Sequence, residues 1–425
     1  MNRTHQIALF LFLIALLIYT IPIMYNEWGT PFFHMIPAQD VVSASLLPMS
    51  LLTRGDFYLD QYRRYITNNY PEPYFVAEVN NHLVTRYTAM PGILAIPVIG
   101  AARGTGWITH TNIVFSAAKL AAALMTAFTL VAFFYVARRM TDLATATFVA
   151  IAFAFGTGVW STASQGLWQH TPSILFQTIA LAFLLRGLKG GADAAAPAGI
   201  FLALAVITRP PTFVIASTMA LFFLLQFRPA FWRFALWTCP PILFALYYNT
   251  TVNGAPFSFG YQDVGAADFH FPQWNTIQEL LFLPSRGVFI YSPFLLLAPI
   301  GAWFSWCTPR RNFFLFIALA AIVYTGVMAA WGSLGGWAYG ARMLTDILPQ
   351  LTLLIIPVVE KFDWRGKFAF GASVAFAIFL QSLGIWDYGL RFHADPTNNL
   401  YSIENSEPLF YLRLYLAMLQ EALGF

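Results

Sequence analysis

The 425-residue sequence contains few charged residues and very little cysteine. Asp, Glu, Lys and Arg make up only 10% of it, whereas soluble globular proteins carry about 25%. The net charge of +4 comes from basic residues that are dispersed between hydrophobic segments, so nucleic acid is not an expected partner. Cys239 and Cys307 both fall on the cytoplasmic side of the topology predicted below, and no structural disulfide is expected. The shortage of charge excludes an ordinary soluble protein.

Hydrophobic and aromatic residues are abundant instead. They include 42 Phe, 19 Tyr and 13 Trp, and the hydrophobic share of the sequence is 58%. Such a composition predicts an all-α polytopic membrane protein with aromatic residues at the membrane interfaces. The segment Gln6–Tyr25 is long enough to span a bilayer and has no small-residue cleavage site, so we expect a retained first helix rather than a signal peptide.

Hydrophobic length and the Lys/Arg bias of short loops predict about 11 transmembrane helices, with the N-terminus in the cytoplasm and the C-terminus outside. The spans include one at about Val288–Trp306 and one at about Met343–Val359. The apolar run Ala89–Ala102 is too short to span comfortably and predicts a surface or re-entrant helix of the outer leaflet. We expect a single domain over 1–425, with outer loops at 26–87 and 249–285 and an extracytoplasmic tail at 384–425 that contains an amphipathic helix over Pro408–Leu423.

The segment Ala38–Asp60 in the first outer loop carries the leading candidate for chemistry. If it is helical, its polar residues form one stripe, made of Asp40, Ser43, Ser50 and Arg54 and interrupted by Leu47. Such a helix suits the membrane surface, where it would hold an acidic residue at a fixed depth. Asp40 is therefore a candidate catalytic residue at the outer boundary. The alternative is that Asp40 only caps the helix that starts beside it.

Basic residues are predicted at the outer ends of several helices, where the positive-inside rule does not favour them. An anionic group in the outer leaflet, such as a lipid phosphate, would explain them, because Arg binds phosphate bidentately and Lys binds it as a point charge. Snorkelling to headgroups and a buried i,i+4 pair between Arg342 and Asp346 are alternatives. The candidate phosphate ligands are Arg86, Arg209, Arg286, Arg342 and Lys119, the last about two turns inside its helix.

Three further residues are candidates for contact with a sugar or an acceptor. His170, in the turn GLWQHTPS, has the chemistry to bond a sugar hydroxyl or to transfer a proton, or it caps the next helix. Tyr261 and Trp274 of the second outer loop are suited to stacking on a sugar or an acceptor. The acids of DFYLD, Asp56 and Asp60, have the wrong spacing for adjacent metal ligands, so they are expected to structure the loop. We expect no cofactor and no metal site, although the sequence leaves a divalent metal open.

Most of the first 350 residues resemble the GT-C superfamily of membrane glycosyltransferases. The order of the motifs and their outward placement carry the resemblance more than any single motif does. The motifs are QDVVSASLLPMSLLTRGDFYLD, RYTAMPGILAIP, FGTGVWSTASQGLWQH, ALAVITRPPT, YYNTTVNGAPFSFGYQ, PSRGVFIYSPFLLL and WGSLGGWAYGARMLTDILP.

The resemblance implies a GT-C fold and a polyprenyl-phosphate-linked sugar as donor. It assigns the general base to Asp40 and the lipid phosphate to Arg86 and Arg209, and also to Arg286 and Arg342. The chain lacks the paired acidic motif of family members that modify proteins, which favours a glycan or lipid acceptor. The implied protein is an inverting glycosyltransferase of a bacterial inner (plasma) membrane, active on the extracytoplasmic side. A lipid-linked glycan transporter or flippase, and a ligase that uses a pyrophosphate-linked glycan, are the alternatives.

Overall fold

The computed structural model describes residues 2–27, 38–188, 192–258, 269–331, 334–336, 338–386 and 390–423. In these residues the chain is predominantly α-helical, as the composition predicts. Five of the described helices are long and apolar enough to cross a membrane. They are Arg3–Met24, Thr111–Arg138, Arg311–Trp331, Arg342–Val359 and Trp364–Leu383.

The described α-helices are named here in chain order. They are α1 (Arg3–Glu27), α2 (Asp40–Arg54), α3 (Arg63–Asn69), α4 (Met90–Gly104), α5 (Thr111–Arg138), α6 (Leu143–Phe155), α7 (His170–Gly187), α8 (Ala195–Thr208), α9 (Phe213–Gln226), α10 (Arg228–Val252), α11 (Trp274–Phe282), α12 (Val288–Tyr291), α13 (Leu297–Ser305), α14 (Arg311–Trp331), α15 (Leu348–Leu354), α16 (Ile356–Val359), α17 (Trp364–Leu383), α18 (Leu390–Ala394) and α19 (Glu407–Leu423). Short 3₁₀ helices cover Asp60–Tyr62, Ala192–Ala194, Pro210–Thr212, Pro293–Leu296 and Arg342–Ile347, and a π-helix covers Val159–Ala163.

The expected helix over Val288–Trp306 is interrupted. It consists of α12, a 3₁₀ helix at Pro293–Leu296, and α13. Proline has no backbone N–H and its ring crowds the preceding turn, so the α-helical hydrogen bonds stop at Ser292. At this break the Ser292 side-chain hydroxyl donates to the carbonyl of Gly156 at 2.7 Å. The expected helix over Met343–Val359 is present, but its first turns, Arg342–Ile347, are 3₁₀.

A β-hairpin between α3 and α4 was not expected from the sequence. Strand β1 (Val76–Val79) pairs antiparallel with β2 (His82–Thr85). The turn residues Asn80 and Asn81 have φ of 50° and 67°, and two consecutive positive φ values are typical of the tight turns that join twisted strands. Asp60 holds the hairpin, because its carboxylate accepts from the Leu83 N–H at 2.7 Å. This confirms the expected loop-structuring role of Asp60.

The middle of α2 is buried in the protein on its polar and its apolar sides, which differs from the expected helix at the membrane surface, and only the last residue of the polar stripe, Arg54, is exposed. Ser43 and Ser50 are both fully buried. The Thr85 hydroxyl donates to the Ser43 hydroxyl at 2.8 Å, and the Gln61 amide donates to Ser50 at 3.1 Å. The residues after α2 therefore fold back over its polar side. Burying an unpaired polar group costs free energy, so these buried hydroxyls need hydrogen-bond partners inside the protein.

Helix α4 packs against α2 and α5. A Cβ atom at Gly92 would lie 2.9 Å from the carbonyl oxygen of Ala44, so glycine permits the close approach of α4 to α2. The helix has 15 residues, about 22 Å of length, which is shorter than a hydrocarbon core of about 30 Å. Both neighbours of α4 help to hold the first outer loop in place.

The tail helix α19 begins one residue before the expected Pro408. Its buried residues, Glu407, Pro408 and Tyr411, pack on the side of the core that contains α17 and α18. The first turns of the amphipathic tail are therefore packed on the protein, whereas Leu416, Leu419 and Leu423 of its second half are exposed. This contact also brings an acidic residue into the interior.

Candidate functional site

Asp40, the first residue of α2, lies in an ion pair with Arg342, which follows the Gly-rich segment at 335–340. The Arg342 Nη1 to Asp40 Oδ2 distance is 2.7 Å. The other carboxylate oxygen accepts from the Tyr74 hydroxyl at 2.6 Å, and Tyr87 adds a further hydrogen bond. The Arg342 guanidinium also lies over the Trp168 ring, 4.6 Å from its centroid, so an aromatic face and a carboxylate hold the cation together.

The capping alternative for Asp40 is not what the structure shows. The N-cap residue of α2 is Gln39, and its side chain makes no capping hydrogen bond. The Asp40 carboxylate points to Arg342, 302 residues away in the chain, and to Tyr74. Asp40 therefore joins the start of α2 to the start of the 3₁₀ helix at Arg342–Ile347.

The surroundings of Asp40 keep it ionised. Burial by itself would raise the pKa of Asp40, but the Arg342 charge and the hydrogen bonds from Tyr74, Arg342 and Tyr87 outweigh it and hold that pKa below its usual value. Burial and the neighbouring Asp40 charge raise the pKa of Tyr74 far above its usual value, so the phenol stays a donor. A carboxylate has about four acceptor positions on its two oxygens, so Asp40 retains the capacity to accept from a substrate hydroxyl.

A second carboxylate, Asp346, organises His170 and Arg209. One oxygen, Oδ2, accepts from Arg209 Nε at 2.6 Å, from His170 Nδ1 at 2.8 Å and from the Tyr324 hydroxyl at 2.8 Å. Asp346 is fully buried, and a buried carboxylate needs such charged and polar partners. Because Nδ1 of His170 donates to this oxygen, Nε2 is the acceptor in the neutral imidazole. Since Asp346 accepts from Arg209 and His170, and Arg342 pairs with Asp40, the alternative i,i+4 pair of Arg342 with Asp346 is wrong.

A third buried carboxylate, Glu407 of α19, pairs with Arg286. Its Oε2 lies 2.7 Å from Arg286 Nη1 and accepts from the Tyr291 hydroxyl at 2.9 Å and from the Gly340 N–H at 2.8 Å. Arg286 Nη2 also contacts His393 Nε2 at 2.6 Å. Arg286 is only 2% exposed, so its side chain does not snorkel to the membrane surface. The Arg286 charge is balanced inside the protein.

An apolar cavity of about 330 Å³ opens beside Asp40, and its volume is in the range of small-molecule sites. It lies between the start of α4, the turn from α8 to α9, and α10. Arg86, Asn249 and Asn253 supply polar groups to its wall. The apolar lining includes Met90, Val206, Ile207, Phe213, Ile242 and Phe244.

The cavity and Asp40 share Tyr87. This residue lines the cavity and also bonds to the Asp40 carboxylate. Its neighbour Arg86 lines the same cavity, and Arg86 Nε donates to the Val76 carbonyl at 2.9 Å. Among the residues that the structure describes, no carboxylate lies within ion-pair distance of Arg86. Arg209, Arg286 and Arg342 differ from it, because each of them has an acidic partner.

The remaining candidate residues from the sequence lie away from Asp40 and the cavity, or they fall outside the residues that the structure describes. Lys119, 2% exposed, donates from Nζ to Gln165 Oε1 at 2.9 Å. Trp274 begins α11 and is 68% exposed. Tyr261 lies outside the described residues.

Sequence reasoning missed Tyr74, Tyr87 and Glu407. Tyr87 directly follows Arg86 in the RYTAMPG motif, and this adjacency was the available signal. Tyr74 and Glu407 carry no local signal, because their partners lie 34 and 121 residues away.

No protein-family model matches this sequence, and no curated protein matches it. The function is therefore inferred from the chemistry and geometry of the residues around Asp40.

Proposed function

We propose that the protein is an inverting glycosyltransferase of the GT-C type with about 11 transmembrane helices. It transfers a sugar from a polyprenyl-phosphate donor to a glycan or lipid acceptor on the extracytoplasmic side of a bacterial inner membrane. One observation carries the proposal. An apolar cavity with Arg86 in its wall is joined to the ionised Asp40 through Tyr87.

The cavity supports a donor that combines a hydrocarbon chain with an anionic group. The apolar wall suits the prenyl chain. The Asn249 and Asn253 amides bond to each other and to the Pro256 and Ser258 carbonyls, and the second Asn249 N–H and the Asn253 amide oxygen suit hydrogen bonds to the head of the lipid. Arg86 is the phosphate ligand in this proposal, since no described carboxylate neutralises it. Arg209 and Arg286 instead contribute to the framework through Asp346 and Glu407.

The reaction is a single displacement at the anomeric carbon. The acceptor hydroxyl oxygen forms the new glycosidic bond while the bond between the anomeric carbon and the phosphate oxygen breaks. Asp40 accepts the hydroxyl proton and later releases it to water, and the products are the glycoside and polyprenyl phosphate. Arg86 stabilises the negative charge that builds on the departing phosphate. Arg342 and Tyr74 hold the Asp40 carboxylate in one orientation.

Purified protein with a panel of defined polyprenyl-phosphate sugars tests the proposal. Release of polyprenyl phosphate together with a new glycoside supports it, and Arg86→Ala and Asp40→Asn should each reduce that release. Asp56→Asn is a matched control, because Asp56 lies in the same loop and bonds to the Tyr58 N–H and to Arg54.

Three results contradict the proposal. One is the absence of transfer from every donor in the panel. Another is movement of labelled lipid across proteoliposomes without formation of a glycosidic bond, which indicates a transporter. The third is transfer from pyrophosphate-linked donors alone, which indicates a ligase.

A further inference from the structure

The Gly-rich segment that leads into Arg342 has a backbone that needs external support. Gly335, Gly336 and Gly340 have φ of +103°, +57° and +67°, and glycine loses the most conformational freedom of any residue when it is fixed. Arg342 begins a 3₁₀ helix directly after this segment. Whatever fixes the glycines therefore also fixes the origin of the Arg342 side chain.

The buried pair of Glu407 and Arg286 bonds to this segment at two points. The Gly340 N–H donates to Glu407 Oε2 at 2.8 Å. Arg286 Nη2 donates to the Gly336 carbonyl at 3.2 Å. One anchor comes from the acid and the other from the base, so the ion pair spans the segment.

The anchor is itself held firmly. The Glu407 backbone N–H donates to the Ser285 hydroxyl at 3.0 Å, and the Tyr291 hydroxyl donates to Glu407 Oε2 at 2.9 Å. Glu407 is fully buried, and a charge-assisted hydrogen bond in a buried place is strong. The C-terminal helix α19 thereby fastens the Gly-rich segment to the start of α12.

We propose that Glu407 and Arg286 are positioning residues for the transfer reaction, which hold the Gly-rich segment so that Arg342 stays on the Asp40 carboxylate. The kinetic part of this inference rests on the proposed function. A merely structural pair would stabilise α19 without affecting the protonation of Asp40.

The consequence of losing the anchor is a change in the acid strength of Asp40. The groups that face Asp40 are Arg342 from the Gly-rich loop, Tyr74 from the residue stretch before β1, and Tyr87 from the residues after β2. Only Arg342 is charged at neutral pH, so a looser Arg342 leaves the effect of burial uncompensated and raises the pKa of Asp40. The acidic limb of the kcat/KM profile then moves to higher pH.

The main test variant is Arg286→Met/Glu407→Leu, which replaces the buried ion pair by apolar residues and removes both anchors without leaving an unpaired charge. Glu421→Gln is the matched control, because Glu421 lies on the same helix and is exposed. We expect kcat/KM of the double variant to fall about 10- to 100-fold, the range typical of a small displacement in an active site. The acidic limb should shift upward in the double variant and stay in place in the control.

A second measurement needs no turnover. A hydrophobic carbodiimide reacts with protonated carboxyl groups, and mass spectrometry of the Asp40 peptide gives the labelling rate in full-length protein. At pH 5 the double variant should be labelled several-fold faster than wild type and the control. If the double variant does not fold, Tyr291→Phe removes one bond to Glu407 and keeps the ion pair, and it should show a smaller shift in the same direction.

An unchanged acidic limb and an unchanged labelling rate in a folded variant overturn the inference, even if thermal stability falls. Absence of transfer by the wild type contradicts the proposed function instead. In that case the labelling rate of Asp40 still decides whether Glu407 and Arg286 position Arg342.

Discussion

Asp40→Asn gives the sharpest prediction. Asparagine has nearly the same shape but only one acceptor oxygen. That oxygen can replace Oδ2, which now accepts from Arg342 at 2.7 Å, while the amide N–H group takes the place of Oδ1 and donates to the Tyr74 hydroxyl, which now donates at 2.6 Å. The variant loses the ability to take a proton, and general base catalysis contributes about 10²- to 10⁴-fold. We therefore expect kcat to fall by that factor, or about 3 to 5 kcal/mol in the barrier.

The same substitution should affect folding much less. The Asp40 and Arg342 side chains are 19% and 14% exposed, so water can reach the arginine when its charge loses its partner. A hydrogen bond to a charged group contributes about 1.5 to 3 kcal/mol, and solvent exposure places the expected loss at the low end of that range. Initial rates with a defined polyprenyl-phosphate sugar and thermal unfolding in detergent measure the two effects. Turnover within about threefold of wild type refutes the assignment of Asp40 as the base.

Four further predictions concern pH, the phosphate and the packing. Because the pKa of Asp40 is lowered in the folded protein, its contribution to stability is present above the unfolded value of about 3.9 and is lost as pH falls through the folded value. Thermal unfolding should therefore show a constant difference between wild type and Asp40→Asn from pH 8 to 5 that shrinks only below about pH 4. A difference that shrinks above pH 5 contradicts this direction. Arg86→Ala should raise the KM for the lipid donor about 10- to 100-fold, with Arg86→Lys intermediate, and an unchanged KM excludes Arg86 as the phosphate ligand. Asp346→Ala removes the fully buried carboxylate that pairs with Arg209 and should cost about 3 to 5 kcal/mol of stability, visible as a large fall in Tm. A Tm close to wild type contradicts this prediction. In Gly301→Ala the new Cβ overlaps the Leu354 carbonyl and should cost at least about 1 to 3 kcal/mol, whereas Gly104→Ala, which meets no atom within 4 Å, is the control.

Helical segments were predictable where the hydrophobic pattern is long and uninterrupted. The expected tail helix over Pro408–Leu423 differs from α19 by one residue, because an amphipathic pattern with a proline near its start defines both the face and the beginning. The break within Val288–Trp306 was not predicted, since Pro293 lies inside an apolar run. Hydropathy measures only the apolar content and does not register the backbone donor that proline lacks.

The partners of the charged residues were not predictable in the same way. Arg342 and Asp346 are four residues apart, which would place them on one face of an α-helix. They lie in a 3₁₀ helix, where three residues make a turn and residues four apart point in different directions. Each found a partner from a distant part of the chain, and such pairing depends on tertiary packing that no local pattern contains. Asp40 was nevertheless identified as a candidate from the polar stripe of its helix, and Arg86 from its expected position at the outer side.

The separation of 302 residues between Asp40 and Arg342 has a consequence for biosynthesis. At a synthesis rate of about 5 to 20 residues per second, the ribosome needs about 15 to 60 s to make the intervening chain. Tyr74, only 34 residues after Asp40, is made within the first few seconds of that interval. Tyr74 is therefore available to this acid long before its cation is synthesised. The ion pair of Asp40 with Arg342 can form only after most of the chain has been made.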